Sequence, residues 1–280
     1  MDEGECRRCV GARIRGDITD LARDENPTVS ENRFLQGRIV HRVDHAEDLW
    51  TVRVDPGSEF HFAAGQYATL GVPTAARLVE RAYSIVSSPY ERELEFFFEL
   101  VPGGALTPLL HRLTPGDSIS VRRAAKGRFT LDTQSGRTQH LLLGTVTGVA
   151  PFVSYARTLL EDWKSGRFKE EHKLYVIQGA SHSRELGYRE ELTRISQECP
   201  WLTYVPTVSR PWTDPLWQGE RGRVDDILRE YIDRWSLTSR TTTAYLCGHP
   251  EMIDHGKAIL QRAGWDSQAV KEEIYFALRA

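Results

Sequence analysis

The chain has 280 residues, 40% of them hydrophobic and 27% charged, with a net charge of −3 and a pI near 6.3. This balance excludes the strong basic excess of a dedicated nucleic-acid binder, and no run of about 18 apolar residues offers a membrane-spanning helix. Four cysteines, at 6, 9, 199 and 247, are too few and too scattered for a disulfide framework.

Residues 1–33 carry eight acidic and six basic residues with little apolar periodicity. They read as a flexible extension, and with no apolar signal-peptide core the chain is expected to be cytoplasmic. Cys6-x-x-Cys9 lacks the further ligands of a zinc or iron–sulfur site, so no metal is expected.

From 34 to 134 the pattern has period two. Trp50, Val52 and Val54 alternate with Thr51 and Arg53; Leu94, Phe96, Phe98 and Leu100 alternate with Glu95, Phe97 and Glu99. Each reads as a strand with one buried and one solvated face. Turn residues separate the strands, which predicts an antiparallel barrel or sandwich. Leu106, Leu109, Leu110 and Leu113 break the pattern with helical spacing.

After a polar linker at 132–137, the segment 138–280 alternates strands and helices. Apolar strands are expected at 141–143, 174–177, 202–205, 243–246 and 270–276. Helices are expected near 149–160, 185–197, 224–231 and 250–263. Such alternation means βαβ units and a Rossmann-like parallel sheet. The expected architecture is therefore two domains, a β-rich one over 34–134 and an α/β one over 138–280.

Four segments carry possible chemistry. Arg81-Ala82-Tyr83-Ser84 lies on a strand, where Arg81 and Tyr83 share one face. A guanidinium fork suits pyrophosphate, although an ordinary strand with an exposed arginine reads the same way. Gly103-Gly104-Ala105-Leu106-Thr107 precedes the leucine helix, where free N–H groups could receive an anion or simply form a turn. Residues 144–151 make a Gly/Thr-rich strand-to-helix turn that matches neither G-x-G-x-x-G nor a P-loop. Cys247 ends a parallel strand, facing the crevice where ligands usually bind, or else fills space as a small buried residue.

The four segments, in this order, resemble the ferredoxin–NADP⁺ reductase family, most closely its bacterial ferredoxin/flavodoxin reductases. Residues 62–67, 81–89, 106–108, 113–117, 144–151 and 246–250 carry the resemblance, with the terminal strand Glu273-Ile274-Tyr275-Phe276. The resemblance implies a flavin-binding antiparallel β-barrel followed by a nucleotide-binding α/β domain, with FAD and NADP(H) as cofactors. Arg81 would bind the FAD pyrophosphate, with Ala82 beside it; Tyr83 would stack on the flavin, and Ser84 would sit near its N5. Gly104, Ala105, Leu106 and Thr107 match the FAD phosphate loop. Gly144, Thr145 and Thr147 match the nicotinamide-nucleotide loop. Cys247 and Glu273 would orient the nicotinamide, and Phe276 would cover the other flavin face.

The family resemblance also matches Ser209, Arg210 and Arg223 to positions that bind the 2′-phosphate of NADP. Three departures stand out: Val146 replaces a glycine frequent in the family, Ser181 stands where an arginine is common, with Arg184 nearby, and Ala277–Ala280 extends past the expected aromatic end. The expected partner is a small acidic carrier, ferredoxin or flavodoxin, steered by the basic cluster Arg122, Arg123, Lys126 and Arg128 to a monomeric enzyme. The same signals fit the reductase component of an oxygenase system with a separate ferredoxin, or a non-catalytic FAD/NADP sensor or electron-transfer subunit.

Overall fold

The computed structural model describes residues 33–168 and 172–275, in which six antiparallel strands are followed by six parallel ones. The first sheet contains β1 (Phe34–Ala46), β2 (Leu49–Asp55), β3 (Tyr67–Pro73), β4 (Leu78–Ser84), β5 (Leu94–Glu99) and β6 (Ser118–Arg122). Its order is β4-β3-β6-β1-β2-β5. Just beyond β4, the Val86 N–H donates to the Glu95 carbonyl of β5 at 2.8 Å, so the two ends of this order meet and the sheet rolls into a barrel. The period-two pattern explains its interior: Trp50, Val52, Val54, Leu70, Phe96, Phe98 and Val121 all point into one core. The short helix α1 (Thr107–His111) adds Leu106 and Leu110 to that core.

One expectation about β2 and β5 fails: Thr51 on β2 is buried, and β5 departs further. Instead of alternating between core and solvent, Leu94 through Phe98 are all buried. Phe97 and Glu95 point away from the barrel, and Phe97 joins a second core with Phe152, Val153, Tyr155 and Leu160 of the helix α2 (Ala150–Lys164). The face read as solvated is covered by the other half of the chain.

The second sheet runs β10-β9-β8-β7-β11-β12. Its strands are β7 (Gln139–Thr145), β8 (Lys173–Ala180), β9 (Leu202–Val208), β10 (Glu220–Arg221), β11 (Thr242–Gly248) and β12 (Val270–Ile274). Helices α2 and α3 (Arg189–Glu198) pack on one face, while α4 (Val224–Arg234) and α5 (Pro250–Arg262) pack on the other. Helix α3 starts later than the spacing predicts. Glu185 accepts the Ser181 and His182 N–H groups at 3.0 Å and closes a separate turn, and Tyr188 then enters the helix with φ +63°. Strand order reverses between β7 and β11, and crevices at such switch points are where ligands of open α/β sheets bind. The N-terminal extension, with Cys6 and Cys9, lies outside the described residues.

Candidate active site between the two sheets

The end of β7 and the end of β11 are locked together. Gly148 lies so close to β11 that a Cβ there would stand 2.2 Å from the Cys247 carbonyl oxygen. Gly248 adopts φ +125°, a conformation that a side chain would strain. The Thr145 hydroxyl accepts the His249 N–H at 2.9 Å. Thr145, expected to serve a nucleotide, uses its oxygen as acceptor in this internal clasp and keeps its O–H to donate. Between Gly144 and Gly148, Val146 is held at φ +46°. A β-branched residue in that region is a steric outlier, which gives the missing glycine a physical cost. Gly144 is buried and Thr147 is partly exposed in the same turn.

Pairing across the parallel strands then sets the reactive side chains. Cys247 sits opposite Gly144 on one side and Glu273 on the other. From the barrel, β4 delivers Ser84 to the same point. The Ser84 hydroxyl donates to Glu273 Oε1 at 2.6 Å and accepts from the Tyr275 hydroxyl at 2.9 Å. Cys247 and Tyr275 face the same spot, on adjacent strands and within two residues of the Cys247–Glu273 pairing. Burial raises the pKa of Cys247 well above the usual thiol value and that of Tyr275 well above the usual phenol value. Burial also raises the Glu273 carboxyl, with the Ser84 hydrogen bond working against it. Ser84 and Cys247 are buried while Glu273 and Tyr275 stay partly exposed, and a thiol kept protonated is a weak nucleophile.

The structure thus brings Ser84, Cys247 and Glu273 together and adds Tyr275, which the sequence reading did not single out. Tyr275 follows Glu273 by two residues, so strand periodicity placed it on the same side, but the motif match had favoured its neighbour. Phe276 lies outside the described residues.

On β4, Arg81 is exposed, and its guanidinium donates to the Glu80 carbonyl at 2.7 Å with no ion pair among the described residues. Tyr83 sets its ring edge-on to Phe98, 4.8 Å between centroids, and burial pushes its phenol up to about 12, with Arg81 working the other way. Ala82 is exposed between them. The turn before α1 is self-contained: Gly104 N–H donates to the Val101 carbonyl at 2.9 Å, and the Thr107 hydroxyl accepts the Val101 N–H at 3.0 Å. Ala105 is exposed and Leu106 is buried.

A second group gathers at the outer strand ends. Ser209 and Arg210 follow β9, tied by backbone bonds to Ala180 and Ser181. Gly222 N–H binds the Val208 carbonyl and so brings Arg223 beside them. Arg210 has no ion pair among the described residues, whereas Arg223 lies 3.2 Å from Asp225 and 3.8 Å from Glu251. The basic cluster is also partly spent, because Arg122 forms a two-bond pair with Glu80 at 2.7 and 3.0 Å.

Comparison with known proteins agrees with this fold. Residues 38–131 match a family described as the oxidoreductase FAD-binding domain, and residues 142–257 match the oxidoreductase NAD-binding domain. A ferredoxin–NADP reductase from Pseudomonas aeruginosa is 30% identical over 236 residues, covering 79% of this chain and 87% of its own. The reductase component DmpP of a phenol 2-monooxygenase from Pseudomonas sp. (strain CF600) is 32% identical, covering 86% of this chain and 66% of its own. The crystal structure of a ferredoxin NADP⁺ reductase from Neisseria gonorrhoeae with bound FAD and NADP aligns with a TM-score of 0.74 and 25% identity. It covers 87% of this chain and 99% of that one.

Proposed function

The chain belongs to the ferredoxin–NADP reductase family of flavoprotein oxidoreductases, and from that premise we propose that it moves electrons between NADP(H) and ferredoxin or flavodoxin through FAD. The observation that carries this reading is the meeting of Ser84, Glu273, Cys247 and Tyr275 where the barrel abuts the crevice of the parallel sheet.

The residues present fit the flavin. Arg81 is an exposed guanidinium without a carboxylate partner among the described residues, suited to pyrophosphate, and Tyr83 two residues on shares its face. Arg81, Ala82, Tyr83 and Ser84 would hold FAD along β4, with Gly104, Ala105, Leu106 and Thr107 at its phosphates. Gly144 and Thr147, with the backbone at Thr145, would receive the nicotinamide end of the nucleotide. Ser209, Arg210 and Arg223 would receive its far end, where a hydroxyl and two guanidinium groups suit a 2′-phosphate. Bound FAD supplies hydride exchange with the nicotinamide and single-electron exchange with the carrier.

The protein's own residues supply positioning. Ser84 already carries a polarised hydroxyl, because it donates to Glu273 while accepting from Tyr275. Tyr275 has to leave Ser84 for a nicotinamide ring to reach Ser84 and Cys247. Cys247, neutral and small, lets that ring approach closely without offering a competing nucleophile. Phe276 follows directly and would cover the exposed ring face.

The test is the visible spectrum of the purified protein with and without anaerobic NADPH. A flavin spectrum that bleaches on addition, and returns with oxidised ferredoxin or flavodoxin, is the expected result. Colourless protein that takes up no FAD would overturn the reading. A second reading, the reductase component of an oxygenase system, is favoured by the 32% identity to DmpP. It predicts electron delivery to an oxygenase's separate ferredoxin and little to flavodoxin.

A further inference from the structure

Helix α2 begins where the nucleotide turn ends, and one stripe of it faces the segment that follows Ser84. The Ser154 hydroxyl donates to the Ser87 carbonyl at 2.8 Å, the Thr158 hydroxyl lies 3.3 Å from that of Ser88, and Asp162 accepts from the Tyr90 hydroxyl at 2.7 Å. At the centre is Arg157. Its guanidinium donates to both oxygens of Glu191 at 2.8 and 2.9 Å, and to both oxygens of Glu95 at 3.0 and 3.3 Å. Arg53 approaches the same Glu95 at 2.8 Å, and the Tyr188 hydroxyl donates to it at 2.7 Å. The Arg157 and Glu95 side chains are only 14% and 4% exposed, so this is an internal junction rather than a surface pair. Burial works against the Glu95 charge, but Arg157, Tyr188 and Arg53 outweigh it and hold the carboxyl below its usual range.

We propose that Arg157 is a positioning residue, which fixes the distance between the Ser84 strand end and the nucleotide turn at 144–149. The argument is one of connectivity. Glu95 is tied through its carbonyl to Val86, two residues after Ser84. Arg157 lies on the helix that continues directly from the nucleotide turn. Its planar fork, engaged on both sides, admits one geometry between barrel and sheet, which an ammonium could not enforce. A neutral packed interface would hold the halves together but would allow them to slide. Hydride transfer is sensitive to such slippage, since a misplacement of about 1 Å can cost about 100-fold in rate.

This assignment rests on the flavin-reductase reading, so the experiment separates the two. Arg157→Ala, Arg157→Lys and Leu160→Ala are compared with the wild type. Leu160 packs the same helix into the apolar core that includes Phe97, and it makes none of the hydrogen bonds of the Arg157 junction. In FAD-loaded protein, Arg157→Ala should lower the limiting rate of flavin reduction by about tenfold or more, with the Kd for NADPH within about twofold. Arg157→Lys should recover part of the loss. Leu160→Ala should lose thermal stability and keep its limiting rate. Amide hydrogen exchange, read without any turnover, should rise at residues 85–91 in Arg157→Ala and not in Leu160→Ala. An unchanged limiting rate in Arg157→Ala, or an equal fall in Leu160→Ala, overturns the positioning role. If the alanine variant does not fold, Arg157→Lys and Glu191→Gln carry the same comparison. A wild type that takes up no flavin overturns the functional reading instead, and hydrogen exchange alone then decides whether Arg157 couples the two segments.

Discussion

The Tyr275 hydroxyl donates to Ser84 Oγ across 2.9 Å, joining residues 191 positions apart in the chain. Ser84 passes the polarisation on to Glu273, so the three form a short directional chain at the seam of barrel and sheet. Ser84→Ala removes the middle member without touching Arg81 or Tyr83. The expected result is a fall in the limiting rate of flavin reduction of about 10–100-fold, with FAD content unchanged. Rapid-reaction absorbance after FAD quantitation would decide it; loss of FAD with a normal rate in the loaded fraction would make Ser84 structural.

Val146 offers a stability prediction. Its φ of +46° is unfavourable for a β-branched side chain, and glycine adopts it freely. Val146→Gly should raise stability by about 1 kcal/mol, the relief of a left-handed backbone less the entropy glycine loses on folding. Urea unfolding at constant slope reads this as a higher midpoint. A lower midpoint would mean that the valine side chain contributes more by packing than its backbone costs.

His140 supplies a pH dependence. It is fully buried on β7, its Nε2 lies 2.9 Å from His172 Nδ1, and its Nδ1 has no partner among the described residues. Burial, and then the neighbouring His172, lower its pKa from 6.5 to about 3. The folded state therefore keeps this ring neutral, while the unfolded chain takes up a proton below pH 6.5. Stability is whole above that pH and declines as pH falls toward 3, by up to about 1.4 kcal/mol per pH unit. Unfolding midpoints measured from pH 7.5 down to 5 should fall in the wild type, and His140→Gln should flatten the slope. Equal slopes in both proteins would assign the acid sensitivity elsewhere.

The two arginines beside Ser209 should not behave alike. Arg210 has no ion pair among the described residues, whereas Arg223 already has Asp225 and Glu251 within 4 Å. If NADPH is the nucleotide, Arg210→Ala should cut the preference for NADPH over NADH more than Arg223→Ala does, since Arg223 must first leave its carboxylates. A loss on the order of 1.5–3 kcal/mol, typical of a hydrogen bond to a charged group, corresponds to roughly 10–150-fold in the ratio of the two Kd values. No change in that ratio in either variant would remove both residues from the 2′-phosphate site.

Local pattern carried much of this protein. Period-two alternation marks β2 and β5, the switch to alternating strands and helices marks the parallel sheet, and each follows from neighbours along the chain. The motif order placed Ser84, Cys247 and Glu273 at strand ends that do meet. What sequence left open was which side chains other parts of the chain would claim. The Thr145 oxygen accepts the His249 N–H, and Arg122 pairs with Glu80, contacts that no local pattern announces.

The same divide holds for β5 and the chain end. Alternation says that Glu95 and Phe97 share a face, but only the docking of α2 decides that the face is dry. Tyr275 had the right periodicity, yet its bond to Ser84 depends on bringing β12 against β4. Strand and helix type are set by interactions a few residues long, so the amino-acid order determined them. Burial, charge pairing and the active-site contacts are set by chain segments some 60–190 positions apart, and only the packing of one sheet on the other could decide them.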